Sequence, residues 1–141
     1  MESHGAQPTG GRRTSRKTIV TSLDFGLTDP AALRFWNGNA NCNVFVAGTE
    51  QLQRGSLIPK SAFHPKFYVV GRPNGTVGTL VSSANLTNRG LTINAEVGWL
   101  ETQHGQPQQV DEAWTTAIQP AVALTPEILE AYIALRRRIP R

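Results

Sequence analysis

A single cysteine, Cys42, excludes an internal disulfide and cannot by itself build a structural zinc site. Lying between asparagines in a segment of strand character, it reads as a small core residue. Long apolar runs are missing too. The longest, Phe67 to Val70 and Ala131 to Leu135, fall far short of the roughly 20 residues that a membrane-spanning helix needs, so no membrane partner is expected. The arginines near the N-terminus lead into Thr18 to Asp24, which includes an acid and lacks a secretory apolar core; this predicts a cytoplasmic protein. Acidic residues are absent from the whole stretch Gln51 to Ala95, where Arg54, Lys60, Lys66, Arg72 and Arg89 stand. With a net charge of +4 placed so unevenly, that stretch attracts anions.

What is present fits one domain. At 141 residues, with 39% hydrophobic and 17% charged residues, the chain can bury one sheet and its covering helices. Residues 1–17 are rich in Gly, Ser, Thr, Gln and Arg, with almost no large apolar side chain, and read as a flexible basic N-terminal arm. The folded domain is expected over 18–141.

Thr18 to Thr21 is β-branched and suits a strand. Asp29-Pro30 then supplies an N-cap and a first-turn proline for a helix through Trp36. Further strands are expected over Asn41 to Gly48, Phe63 to Gly71, Thr76 to Ser82 and Ala95 to Glu101, with Pro73-Asn74-Gly75 as a hairpin turn. Gln109 to Ile118 and Pro126 to Arg138 carry helical patterns. Strands with interspersed helices and no internal repeat predict an α/β fold, an α+β sandwich whose mixed sheet is flanked by helices.

Chemistry-bearing residues recur at strand ends. His64 and Lys66 open the third strand two residues apart, so their side chains share a face. Ser83 and Asn85 follow the fourth strand with the same spacing, and both can donate to phosphate oxygens. Glu96 sits within the fifth strand, flanked by Ala95 and Val97, where a carboxylate is costly without a partner. Two pairings are open: the imidazole of His64, or a structural ion pair with Arg89 or Arg72.

The ordered set H-P-K-F-Y-V-V, S-S-A-N-L-T-N-R-G-L and N-A-E-V-G-W, over roughly residues 18 to 101, resembles the phospholipase D superfamily with its H-x-K, G-S-x-N and later acid. Two positions depart from that pattern. The aspartate the family often carries five residues after its lysine is Gly71, and the glycine before its serine is Ser82. A short chain holding one motif and lacking that aspartate is similar to the nuclease branch, in which two copies pair as a homodimer. The resemblance implies that His64 of one copy attacks phosphorus to give a phosphohistidine, while His64 of the other protonates the leaving oxygen and later activates water. It also implies that Lys66, Asn85 and Ser83 hold the non-bridging oxygens and that Glu96 fixes the imidazole tautomer.

A two-metal phosphodiesterase needs several converging carboxylates, yet Glu96 is the only acid between Gln51 and Leu100. The expectation is therefore a metal-independent endonuclease acting on DNA or RNA, without cofactor. A phospholipase or other small-substrate phosphodiesterase is the enzyme alternative; an inactive nucleic-acid-binding module is another. Family analogy adds a nuclease subunit working beside an ATPase or helicase-like partner.

Arg72 and Arg89, close in sequence to the motifs, are candidates for gripping a nucleic-acid backbone. Arg136-Arg137-Arg138 either contacts phosphates or simply ends a helix, where the macrodipole favours cations. Trp36, Trp99 and Trp114 read as core or dimer-interface residues. His4 and His104 take no role.

Overall fold

The computed structural model describes residues 16–85, 87–105 and 108–139. The expected arm therefore lies almost wholly outside the described residues, although Lys17 already opens the first strand.

β1 (Lys17–Ser22) and β2 (Cys42–Ala47) pair in parallel, joined by a crossover that carries α1 (Pro30–Asn37). Asp29 caps α1 by accepting the Ala31 amide at 2.8 Å, and Pro30 sits where a missing N–H costs nothing. Cys42, Val44 and Val46 alternate inward along β2, the period of two that a half-buried strand requires. α2 (Thr49–Gln53) follows directly, and a short β6 (Val122–Ala123) closes this sheet antiparallel to β2. The sheet is thus mixed, in the order β1-β2-β6.

α5 (Pro126–Arg136) seals it. Thr125 caps the helix through Ile128 N–H, and Leu129, Tyr132 and Ile133 fall on one stripe at i, i+3 and i+4. They pack with Leu23, Leu33, Val44, Val46 and Leu124 into a single core that includes Cys42. Tyr132 is fully buried, and its hydroxyl donates to the Thr28 carbonyl at 2.6 Å, so the one polar atom this side chain brings inside is satisfied.

The remaining strands form a second sheet. β3 (Phe67–Gly71), β4 (Thr76–Ser82) and β5 (Gly98–His104) make an antiparallel meander, with α3 (Asn88–Thr92) in the β4–β5 connection. α4 (Gln108–Ile118) lays Trp114 against Phe67, ring centroids 6.2 Å apart. The architecture is α+β with two small sheets, whereas a single mixed sheet was expected. Pro59 and Pro65 interrupt the segment after α2, and a proline nitrogen cannot enter a ladder. The chain therefore starts a new sheet at Phe67, four residues later than the apolar pattern suggested.

The meander is far less covered than the first sheet. Val97, Trp99 and Leu100 are 82%, 74% and 70% exposed, so Trp99 belongs to no core within this chain, while Trp36 and Trp114 are half-buried. Among the described residues no helix is long and apolar enough to cross a membrane.

A hydrogen bond links the first lobe to the segment that leads into the second sheet. The buried carboxylate of Asp24 accepts the Phe63 amide at 2.9 Å. A Cβ on Gly48 would come within 2.8 Å of the other Asp24 oxygen, and Gly48 has φ +93°, so only glycine fits beside this carboxylate.

Burial pushes the Tyr132 phenol up to about 12, against a smaller opposing effect of Arg136. The folded state thus prefers the neutral phenol. Stability from this group is fully present below the unfolded value near 10 and is lost as pH rises from there toward 12. Thermal denaturation from about pH 8 to about pH 11.5 should show this fall in the wild type. Tyr132→Phe should lower stability by about 1 kcal/mol at neutral pH, through the lost Thr28 bond, and should flatten the alkaline fall. An equally steep fall in the variant would refute the assignment.

Candidate active site at one end of the meander

The register of the meander brings the start of β3, the end of β4 and the start of β5 to one edge. Phe67 faces Val81, Val81 faces Trp99, and Ser82 faces Gly98. His64 and Lys66 immediately precede β3, Ser83 and Asn85 immediately follow β4, and Glu96 immediately precedes β5. All five therefore collect at the same end of the sheet, from segments spread over 33 positions of sequence. Arg89, in α3, belongs to this end as well.

Arg72 does not. It leads the β3–β4 hairpin, its amide donating to the Thr76 carbonyl at 2.8 Å, at the far end of both strands. A five-residue strand spans about 16 Å at about 3.3 Å per residue, which separates Arg72 from His64 despite their closeness in sequence.

The hydrogen bonds differ from the expected pairing in an informative way. Ser83 Oγ donates to Glu96 Oε2 at 2.5 Å and accepts from the Val97 amide at 3.1 Å, while the Ser83 amide donates to the Val97 carbonyl at 2.9 Å. Asn94 Nδ2 donates to the other Glu96 oxygen at 3.3 Å. Glu96 thus binds neither the His64 imidazole nor Arg72 or Arg89 among the described residues. The reason is position. Glu96 lies just outside β5, next to the Val97 that pairs with Ser83, and the side chains of Ser83 and Asn94 take both its oxygens. The hydroxyl proton of Ser83 is committed to this carboxylate and is not directed outward.

That leaves a distinct set of outward-facing groups. The side chains of His64, Asn85 and Arg89 are exposed and make no hydrogen bond or ion pair with the described residues. Lys66 Nζ donates one proton to the His64 carbonyl at 3.2 Å and has others to offer. An imidazole, an ammonium, a carboxamide and a guanidinium at one open edge suit a dianionic or monoanionic phosphate. The Glu96, Ser83 and Asn94 side chains bond to one another at the same end of the sheet.

The connection that presents Asn85 is itself held from several sides. Tyr68 Oη donates to the Ala84 carbonyl at 3.3 Å, and Ser82 Oγ accepts the Ala84 amide at 3.0 Å. Thr87 caps α3 through the Gly90 amide at 3.1 Å. Gly90 is buried, and a Cβ there would collide with the Asn85 carbonyl oxygen and approach Thr87 Oγ1 to 3.2 Å. Tyr68, Asn94 and Gly90 were not singled out from the sequence. The available signal was Gly90, a glycine inside a short helical segment, which marks close backbone approach.

Gly90→Ala should displace the Asn85 connection, costing about 1–3 kcal/mol of stability, because backbone rather than a mobile side chain stands in the way. Any activity dependent on Asn85 should fall more than stability alone accounts for. A variant whose thermal midpoint and amide spectrum at residues 83–92 match the wild type would contradict this packing. No protein-family model matches the chain, and no curated protein is similar to it.

Proposed function

We propose that the chain is a phosphodiesterase similar to the phospholipase D superfamily, acting as a nuclease without a catalytic metal. The observation that carries this reading is the collection of His64, Lys66, Asn85 and Arg89 at one sheet end, with Glu96 and Ser83 bonded to each other at the same end. A basic, acid-poor edge of this kind suits a polyanion better than a zwitterionic headgroup.

In this reading His64 attacks phosphorus through a ring nitrogen, the P–O bond to the leaving oxygen breaks, and a phosphohistidine forms. Lys66, Asn85 and Arg89 hold the non-bridging oxygens through charge-assisted hydrogen bonds as charge accumulates on them. Water then attacks the phosphohistidine, losing a proton to a base and freeing His64. One histidine cannot be nucleophile and leaving-group acid at once, so the second imidazole comes from another copy of the chain. The exposed Val97, Trp99 and Leu100 beside Glu96 supply an apolar surface for that pairing. Glu96 acts as a positioning residue for Ser83 and Asn94.

Purified protein should cleave single- or double-stranded DNA or RNA in excess EDTA, and His64→Ala should lower the rate by about a thousandfold or more. Cleavage that persists in His64→Ala, or that EDTA abolishes, would sink the mechanism. Hydrolysis of phosphatidylcholine with no action on nucleic acid would transfer the site to the lipase class.

A further inference from the structure

Outside the meander, the first sheet's lobe holds an unusual turn. Phe25 has φ 57° and ψ 7°, left-handed values that are unfavourable for a bulky residue, and the next residue, Gly26, is left-handed too. The turn is fixed from both sides: Phe25 N–H donates to the Leu57 carbonyl at 2.6 Å, and Arg136 Nε donates to the Gly26 carbonyl at 2.7 Å. The effect is to hold the Phe25 ring 45% exposed at the wall between two adjoining cavities, instead of in the core that begins at Leu23 and Asp24.

The larger cavity, about 710 Å³, is lined by Arg34, Arg136 and Arg137, with Asp29 as the one carboxylate. Asp29 already accepts the Ala31 amide as a helix cap. Arg34 shares its charge with Glu130 at 3.2 Å, Arg136 uses only Nε on Gly26, and Arg137 has no side-chain partner among the described residues. The smaller cavity, about 360 Å³, is mostly apolar, with Ile58 and Ile139 beside Phe25 and Arg138 at its edge. Phe25 and Ile139 belong to both, so the two form one groove with a cationic half and an apolar half.

We propose that this groove binds a segment of single-stranded nucleic acid, with guanidiniums on successive phosphates and a base stacked on Phe25. Planar guanidinium forks match phosphate oxygens bidentately, and an exposed ring held rigidly by its backbone stacks a base at little entropic cost. An acidic peptide would use the arginines, but it gives no reason to keep an aromatic ring strained into the open. The groove also adjoins the catalytic edge along the chain: Phe25 neighbours Asp24, Asp24 accepts the amide of Phe63, and Phe63 precedes His64. As a track for the strand that His64 cuts, the groove rests on the nuclease reading; as a binding surface it does not.

The test is fluorescence anisotropy with labelled oligo-dT and oligo-U at several salt concentrations, using wild type, Phe25→Gly, Phe25→Trp, Arg137→Ala/Arg138→Ala and His64→Ala. Glycine accepts the left-handed backbone, so Phe25→Gly should fold at least as stably as wild type yet raise Kd roughly tenfold, and Phe25→Trp should retain affinity. The double arginine variant should reduce the slope of log Kd against log salt by about 1.4, two phosphate contacts at about 0.7 each. In a His64→Ala background, which leaves the groove intact and cannot cut the probe, Phe25→Gly should raise Kd by the same factor. An unchanged Kd in Phe25→Gly together with an unchanged slope in the arginine variant would overturn the proposal. So would duplex DNA competing equally well whether or not Phe25 is present, or polyglutamate binding where the oligonucleotides do not. Cleavage in EDTA that survives loss of the groove would separate the two readings, as would oligonucleotide binding by a protein that cleaves nothing.

Discussion

The carboxylate of Asp24 is where the molecule's two sheets are made to answer to each other. It is buried in the first lobe, where a charged group is costly without donors, and it draws in the amide of Phe63. The segment from Leu57 to Lys66 has no strand or helix to hold it, so its path depends on such anchors: Phe25 N–H at the Leu57 carbonyl, Asp24 at Phe63, and Lys66 O accepting from the Ser82 amide. His64 lies between the last two of these. A residue of the first sheet's core thereby sets where the proposed nucleophile stands at the edge of the second.

The edge that carries His64 shows a related division of labour. Glu96, Ser83 and Asn94 satisfy one another, and the groups left over are those with protons or lone pairs turned outward. A carboxylate held by two donors ties the end of β4 to the start of β5, while the Lys66 ammonium keeps protons to offer and the Asn85 carboxamide is exposed. Electrostatically this keeps the acid's charge partly neutralised by its own donors, so the open edge stays favourable to anions.

Much of this was legible in the sequence, because local rules and tertiary packing agree there. Asp29-Pro30 capped the helix it promised, β2 alternated inward as its pattern required, and Cys42 took its place in the core. His64, Lys66, Ser83 and Asn85 were legible at predicted strand ends, and Glu96 joins them because β5 starts at Gly98, later than its pattern suggested, and the antiparallel meander returns that start to the same edge. Other features were not legible. Periodicity cannot say whether a strand joins an existing sheet or begins another, and the prolines around residues 59–65 decided that. Nor can it choose among competing donors: Glu96 went to Ser83 and Asn94, a matter of which groups sit across from it in space. The Phe25 turn carries no pattern at all, because its left-handed backbone is imposed by hydrogen bonds to Leu57 and from Arg136, distant in sequence.

The way the first sheet is assembled carries a consequence for how the chain folds. Its core joins Leu23, Val44 and Val46 to Leu124, Leu129 and Tyr132, contacts that close a loop of most of the chain, while the meander is made entirely from residues contiguous between Phe67 and His104. Local contacts form sooner than distant ones, because less chain entropy stands in their way. During synthesis the meander is complete while the helix that seals the other lobe has yet to leave the ribosome. For that interval Val97, Trp99, Leu100 and the unpaired edge of β5 offer the nascent chain an apolar strand edge of the kind that invites pairing with another chain.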